Sequence, residues 1–147
     1  MYLTAVNSFT NTKEACFVGY FSKKFSVVNG DCVFHRDVFK TIRYNEDMVN
    51  CEDISIFALA FALFSSSRIV RPLAIIYKQD DSLRHVYAFS ADFVPNIVDE
   101  IFTEKRLPAK LLSYKKTYAA RLYLSQSRAA YLAGNKKTFF IVFIKPS

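Results

Sequence analysis

The apolar positions at the start of the chain fall into short runs separated by polar residues. Residues 2–9 and 15–21 are two apolar segments, and the stretch 11–14 (Asn-Thr-Lys-Glu) between them is polar enough for a turn. Short runs bounded by turn residues and rich in aromatic and β-branched side chains are typical of strands. The pattern therefore predicts two β-strands joined by a turn.

A second pair of β-prone runs surrounds Asn29-Gly30. That dipeptide adopts positive φ at little cost and is a strong hairpin signal, so residues 25–28 and 31–34 are predicted to pair. The following residues, 36–44, are compatible with either a further strand or a short helix. The first third of the chain is thus interpreted as β structure.

The longest apolar run in the chain predicts a helix over 52–66. Asn50 is placed to act as its N-cap, and Glu52 and Asp53 favour the positive end of the helix dipole. Apolar positions run nearly all round this helix, which predicts burial on most sides. The eleven-residue apolar segment 54–64 is well short of the roughly 20 residues that span a bilayer, so no membrane association is expected.

Residues 73–77 and 84–90 predict a second hairpin, because a polar turn separates two β-prone runs. Over 91–104 the apolar side chains repeat at helical spacing, and Pro95 occupies the first turn, where proline is tolerated. The middle of the chain is therefore expected to add two strands and a second helix.

The C-terminal third predicts one long helix and a final strand. The helix is expected to begin at Pro108 and to end near Ala133, where Gly134-Asn135 supplies a left-handed stop. Residues 138–144 are almost continuously apolar, as in a strand buried within a sheet or under a helix. The sequence thus predicts a single α+β domain over residues 1–147, with an antiparallel sheet covered by two or three helices.

Composition narrows the class of protein. A hydrophobic fraction of 52% with 22% charged residues is typical of a globular domain rather than a disordered chain. The three glycines are too few to favour a phosphate-cradling loop. The three cysteines are odd in number and widely spaced, which favours reduced thiols. With no leader pattern at the start, this predicts a cytoplasmic protein.

Charge is unevenly divided along the sequence. No acidic residue follows Glu104, whereas ten of the twenty basic residues do, so the last 43 residues carry +10 and the first 104 carry −3. A single-sign block of this size favours a polyanionic partner through Coulomb attraction and counterion release. The charge distribution therefore predicts binding of nucleic acid, RNA or DNA, or of an acidic protein surface.

The predicted long helix suggests how the charge is presented. At about 100° per residue one stripe is expected to face the core. It consists of Leu111, Tyr118, Leu122 and Ala129, with Tyr114 and Leu132 close beside it. Tyr123 and Tyr131 fall outside that stripe, near Arg121 and Arg128. Exposed rings beside cations suit single-stranded nucleic acid, because the rings stack on bases while the cations follow phosphates.

The candidate site follows from this placement. The predicted phosphate contacts are Lys110, Lys115, Lys116, Arg121, Arg128, Lys136 and Lys137. Tyr123 and Tyr131 are candidate stacking or partner contacts. The alternatives are a purely solvated helix face, and a face partly neutralised by the acidic residues Asp99, Glu100 and Glu104.

Candidate chemistry is sparse. His35 and His85 are the only histidines, and Cys32 and His35 have opposite parity on a predicted strand, which weakens a nucleophile–base pair. Cysteine and histidine lack the close pairs that zinc sites need, so no metal or cofactor is predicted. The first hypothesis is therefore a non-catalytic nucleic-acid-binding protein. The alternative is a protein–protein interaction module, namely an adaptor, inhibitor or subunit, for which self-association is compatible. A third hypothesis is an enzyme that uses His35 or His85.

Overall fold

The computed structural model describes residues 12–48, 51–68, 74–75, 77 and 92–139, and its regular elements are helices. They are α1 (Lys13–Phe21), α2 (Val38–Thr41), α3 (Glu52–Leu63), α4 (Phe93–Ile101), α5 (Ala109–Leu112) and α6 (Lys115–Leu132). A 3-10 turn covers Asn29–Asp31, and residues 136–139 form one more helical turn. The predicted α+β fold is therefore wrong, because the described part of the chain is helical and contains no strand or sheet.

The first correction concerns residues 15–21, which form most of α1 rather than a strand. The polar stretch that suggested a turn contains the helix start, since the Thr12 hydroxyl accepts a hydrogen bond from the Ala15 amide at 3.3 Å. Glu14 in the first turn suits the positive end of the dipole. Phe17 and Phe21, four residues apart, then share one buried face. Burial of that face outweighs the strand preference of the aromatic residues.

The second correction concerns the hairpin around Asn29-Gly30. The turn is present, but as a 3-10 turn in which the Asp31 carboxylate accepts a hydrogen bond from the Val28 amide at 3.1 Å. The flanking runs do not pair: Val33 is fully exposed, and the Phe34 ring stacks on Phe57 of α3 at 5.7 Å. The run 31–34 therefore packs against α3 through Phe34 instead of pairing as a strand. The ambiguous segment that follows contains the short helix α2.

Other predicted strands lie largely beyond the described residues. Segments 2–9 and 84–90 are outside them entirely, and of 73–77 the structure describes Ala74, Ile75 and Tyr77, which are exposed and irregular. The predicted final strand is described only at Thr138 and Phe139, and both are helical. The start of that strand is therefore also wrong.

The two central helices are confirmed. Helix α3 is buried on most sides, as expected from its all-round apolar pattern. Its N-cap is Cys51, which has a positive φ of 63°, so the prediction of Asn50 as N-cap is wrong. Helix α4 buries Val94, Ile97, Val98 and Ile101 at helical spacing. Among the described helices, none is both long and apolar enough to cross a lipid bilayer.

The core joins the helices in sequence order. Helix α3 packs against α1 and α4, and α4 packs against α6. Aromatic rings connect α6 to the other helices. The ring centre of Tyr118 in α6 lies 5.7 Å from that of Phe21 in α1 and 5.5 Å from that of Phe102, which follows α4. Tyr118 is 5% exposed and fixes the first half of α6 in the core. The second half of α6 is thereby held in a defined position relative to α1.

We expect stability to fall at alkaline pH because burial raises the pKa of Tyr118 and, with help from neighbouring charges, that of Tyr20. The folded protein keeps these phenol protons at pH values where the unfolded chain has released them. The contribution of these two phenols to stability is therefore fully present below about pH 10 and falls above it by about 1.4 kcal/mol per pH unit for each of the two tyrosines.

Urea denaturation between pH 8 and pH 11 measures this slope. Tyr118→Phe is the matched variant, because it keeps the ring contacts and removes one titrating group. Its free energy of unfolding is expected to fall less steeply above pH 10 than that of the unchanged protein. Identical slopes would contradict the role assigned to Tyr118.

Candidate nucleic-acid interface

The predicted long helix is divided in two at Ser113. The Ser113 hydroxyl donates a hydrogen bond to the Lys110 carbonyl at 3.0 Å, and the Tyr114 amide donates to the Leu111 carbonyl at 3.2 Å. A serine that bonds a carbonyl in the preceding turn competes with the regular helical ladder. Lys110 therefore belongs to the short helix α5, separate from the other candidate phosphate contacts.

The helix stop predicted at Gly134-Asn135 is confirmed. Gly134 has φ +72°, and its amide donates to the Tyr131 carbonyl, while the Asn135 amide donates to the Ala130 carbonyl. These two bonds define a Schellman motif. The Asn135 side chain then accepts a hydrogen bond from the Thr138 amide at 3.1 Å. Asn135 therefore caps the next helical turn, which begins with two exposed lysines.

Two of the candidate lysines are engaged by carboxylates. Lys110 forms an ion pair with Glu14 of α1 at 2.5 Å, and Lys115 forms one with Asp99 of α4 at 2.9 Å. The compensation expected from Asp99 is thus present. Because these charges are already opposed by acidic neighbours, Lys110 and Lys115 are weak candidates for phosphate binding.

Arg121 has a structural contact as well as an exposed position. Its guanidinium donates a hydrogen bond to the Phe21 carbonyl at 3.2 Å and lies 5.6 Å from the centre of the Phe21 ring. The carbonyl belongs to the last turn of α1, where positive charge is favoured by the helix dipole. Arg121 therefore ties α6 to the end of α1.

The remaining candidate cations are exposed. They are Lys116, Arg128, Lys136 and Lys137. Within the described ranges none of them pairs with a carboxylate. Helix α6 itself contains four basic residues and no acidic one. Its charge is therefore not balanced by the i,i+4 pairs that usually occur on solvated helices.

One side of α6 combines cations with apolar side chains. Arg121, Leu124, Arg128 and Tyr131 follow each other at spacings of three and four, so they lie within about 80° of arc. We call this set the basic face. Leu124 is 60% exposed and Tyr131 is 69% exposed. Lys116 lies about 120–140° round the helix from its two arginines, so it faces a different direction.

The core-facing stripe predicted for this helix holds for its first half only. Leu111 and Tyr118 are buried as expected, but Leu132 is 71% exposed. The buried positions in the second half are Ser127 and Ala130. Ser127 is nine residues from Tyr118, which places it about half a turn round the helix. The stripe was predicted by assuming that one side of the helix is buried along its whole length. That assumption is wrong here, because the buried side changes along the helix.

The two candidate tyrosines are placed differently. Tyr123 is partly buried and packs against the main core, contrary to the outward position expected for it. Tyr131 lies on the basic face, with its ring centre 5.9 Å from that of Phe139. Of the two, only Tyr131 presents a largely exposed ring.

Two further lysines, which are not among the predicted phosphate contacts, lie beside this surface. Lys23 and Lys24 are exposed and follow the end of α1, where Lys23 adopts φ 57° and the Lys24 amide donates to the Gly19 carbonyl. Arg121 bonds the carbonyl of Phe21, two residues before Lys23. The adjacent Lys-Lys pair was the available signal, and the negative balance of the first 104 residues concealed it.

The cations therefore form a set that spans two helix ends. We call it the cationic tract, and it comprises Lys23, Lys24, Arg121, Arg128, Lys136 and Lys137. It begins at the end of α1, follows the basic face of α6 and continues past the Schellman motif.

Acidic side chains gather elsewhere, around an open depression of about 400 Å³. Its lining consists of Asn45, Asp47, Met48, Asn96, Asp99 and Glu100. Asp99 pairs with Lys115, and Glu100 pairs with Arg106 and accepts a hydrogen bond from Asn45 at 3.3 Å. The carboxylates of Asp99 and Glu100 are therefore occupied with intramolecular contacts, and in the described residues no three candidate ligands are grouped to hold a metal ion.

The candidate catalytic groups are poorly placed for chemistry. His35 is exposed and contacts Asp37 at 3.3 Å, whereas His85 lies outside the described residues. Burial, together with the neighbouring Asp31, raises the pKa of the Cys32 thiol to about 12. At neutral pH this thiol is protonated and a weak nucleophile. All three cysteines are free thiols, and Cys16 is buried.

Comparison with known proteins gives no relative for this chain. No protein-family model, curated protein or solved structure matches it.

Proposed function

We propose that this protein binds nucleic acid, RNA or DNA, through the cationic tract, without catalysing a reaction. The observation that carries the proposal is the charge of α6, which has four basic residues and no acidic one, and whose Arg128 is exposed and paired with no carboxylate of the described residues. A surface of this kind lowers its own electrostatic repulsion when it neutralises phosphates and releases their counterions.

Geometry supports a tract rather than isolated charges. Arg121 and Arg128 are seven residues apart on one face of a helix, which separates them by about 10 Å along its axis. The two lysines after the Schellman motif and the two at the end of α1 extend the charge in both directions. Contacts of this type position a nucleic acid without reading its bases, so little sequence preference is expected.

A protein partner with an acidic surface is the second candidate. It is favoured by the exposed Leu124, Tyr131 and Leu132, because aromatic residues and arginine are enriched at interfaces between proteins. Such a partner would use the same basic face, and the protein would then serve as an adaptor, inhibitor or subunit. Tight binding of a protein with no detectable affinity for nucleic acid would favour this candidate.

Salt dependence is the experiment that tests nucleic-acid binding. We expect fluorescence polarisation with labelled single-stranded RNA, single-stranded DNA and duplex DNA to show binding that weakens steeply between about 50 and 200 mM salt. If five cations of the tract each neutralise one phosphate, the log–log slope is about −3.5 for single strands and about −4.5 for duplex DNA.

The slope distinguishes the proposal from non-electrostatic binding. An affinity that stays constant over this range of salt would contradict phosphate neutralisation. Absence of binding at the lowest salt concentration would remove the proposal and leave the acidic protein partner as the function to test.

A further inference from the structure

We propose that Tyr131 is a stacking platform for an unpaired base, so that the protein prefers single-stranded to duplex nucleic acid. This inference rests on the proposed function and deepens it by naming the form of nucleic acid bound. It starts from the exposure of the ring: Tyr131 is 69% exposed in the last turn of α6, between Arg128 and Lys136 along the chain.

The Tyr131 ring is held in place although it is exposed. Its ring centre lies 5.9 Å from that of Phe139, with an angle of 57° between the planes, so Phe139 supports it from one side. The backbone of Tyr131 is fixed as well, because its carbonyl accepts the Gly134 amide in the Schellman motif. A ring already ordered before binding loses less conformational freedom when a base stacks on it.

Cations lie on both sides of this ring along the chain. Arg128 is three residues before Tyr131 and shares its side of α6, while Lys136 and Lys137 start the next helical turn. That turn is anchored by the Asn135 cap, which fixes where the two lysines leave the backbone. Phosphates on either side of a stacked base thus have positive charge within reach, the arrangement that single-strand sites share.

The surroundings of the ring favour a base rather than a phosphate at its face. Leu124 is 60% exposed and lies two turns before Tyr131, only about 20° round α6 from it. Apolar and aromatic surface is suited to the flat face of a base, which in a duplex is hidden between its neighbours. A duplex therefore makes the charge contacts alone, whereas a single strand makes the charge contacts and also stacks a base on Tyr131.

Two substitutions of Tyr131, measured with single-stranded and duplex nucleic acid, test the inference. Tyr131→Ala is expected to weaken binding of single-stranded RNA or DNA by about five- to hundred-fold, with unchanged affinity for duplex DNA and an unchanged salt slope. Tyr131→Trp is expected to retain the affinity, and its fluorescence is expected to be quenched by the oligonucleotide. The chain contains no tryptophan, so this signal comes from position 131 alone.

The matched controls separate stacking from charge and folding. Tyr44→Trp places the same probe at another exposed tyrosine, whose ring contacts Phe39 of α2 and which is not part of the cationic tract, so no quenching is expected. A single strand of abasic sugar-phosphate, equal in length, is expected to bind the unchanged protein as weakly as an ordinary strand binds Tyr131→Ala. Thermal unfolding by circular dichroism shows that each variant is folded.

The possible results distinguish failure of the stacking role from failure of nucleic-acid binding. Salt-dependent binding in which Tyr131→Ala has no effect, or weakens single strands and duplex equally, would overturn the stacking role and leave the nucleic-acid function standing. Binding of no nucleic acid at the lowest salt would overturn both.

Discussion

Replacing Phe17 by alanine is expected to lower the free energy of unfolding by about 3–5 kcal/mol. Phe17 is 1% exposed, and its ring centre lies 6.0 Å from that of Phe21, 5.9 Å from that of Phe102 and 6.5 Å from that of Tyr114. The ring therefore connects α1 to the residues that follow α4 and precede α6. Its removal exposes no polar partner but leaves a cavity among three aromatic rings, which cannot all move to fill it.

The expected loss for Phe17→Ala is large relative to the total free energy of unfolding of the domain. A domain of this length is stabilised by about 5–15 kcal/mol, so the variant loses a substantial share of that amount. Urea denaturation followed by circular dichroism measures the change. Val33→Ala is the matched control, because Val33 is fully exposed and its truncation is expected to change stability by less than about 0.5 kcal/mol. A loss below about 1 kcal/mol for Phe17→Ala would place Phe17 outside the core.

Reversing three charges of the cationic tract is expected to abolish most nucleic-acid binding. The variant Arg128→Glu, Lys136→Glu and Lys137→Glu removes three phosphate contacts and adds three repulsive charges. At about 50 mM salt we expect a loss on the order of 100-fold or more, and a log–log salt slope shallower by about two to three units. Fluorescence polarisation with the same labelled oligonucleotides measures both quantities.

The fold is expected to tolerate these substitutions. Arg128 is exposed on α6 and pairs with no acidic residue of the described ranges. The two lysines open the helical turn capped by Asn135, where negative charge suits the dipole. The measured loss therefore reports binding rather than unfolding.

The control variant has an equal change in net charge at other exposed positions. Lys13→Glu, Arg36→Glu and Arg43→Glu lie at the start of α1 and on either side of α2, outside the cationic tract. If binding follows the overall charge of the protein, both triple variants lose affinity equally. If the cationic tract binds phosphates locally, affinity is lost only when the charges of its own residues are reversed.

The helices were predictable from the sequence where the apolar pattern was long or periodic. Helix α3 with its all-round burial, helix α4 with Pro95 in its first turn, and the stop at Gly134 were all predicted from the chain. The failures were short apolar segments, above all 15–21. A run of seven apolar residues with aromatic side chains fits a strand or a buried helix equally well, and only its length and its neighbours distinguish them.

The candidate site was predicted in part for a related reason. Ten basic residues after Glu104 are a property of the sequence, but the availability of each charge depends on which acid lies nearby. Glu14 is 96 residues from Lys110, and their ion pair exists only because α1 and α5 are brought together. Lys23 and Lys24 join the cationic tract for the same reason. Arg121 donates a hydrogen bond to the Phe21 carbonyl, 100 residues away in the sequence, and this contact brings the end of α1 to α6.

What the sequence determined by itself is local: the excess of positive charge at the C-terminal end, the lack of any acidic residue in α6, and the helix stop at Gly134-Asn135. These depend on neighbours within a few residues, so they are present in any fold the chain adopts. Tertiary structure decided which lysines are neutralised, which of Tyr123 and Tyr131 is exposed, and that the β-prone run 15–21 is helical. Those outcomes depend on burial against distant elements, whose free energy exceeds local preferences of a few tenths of a kcal/mol.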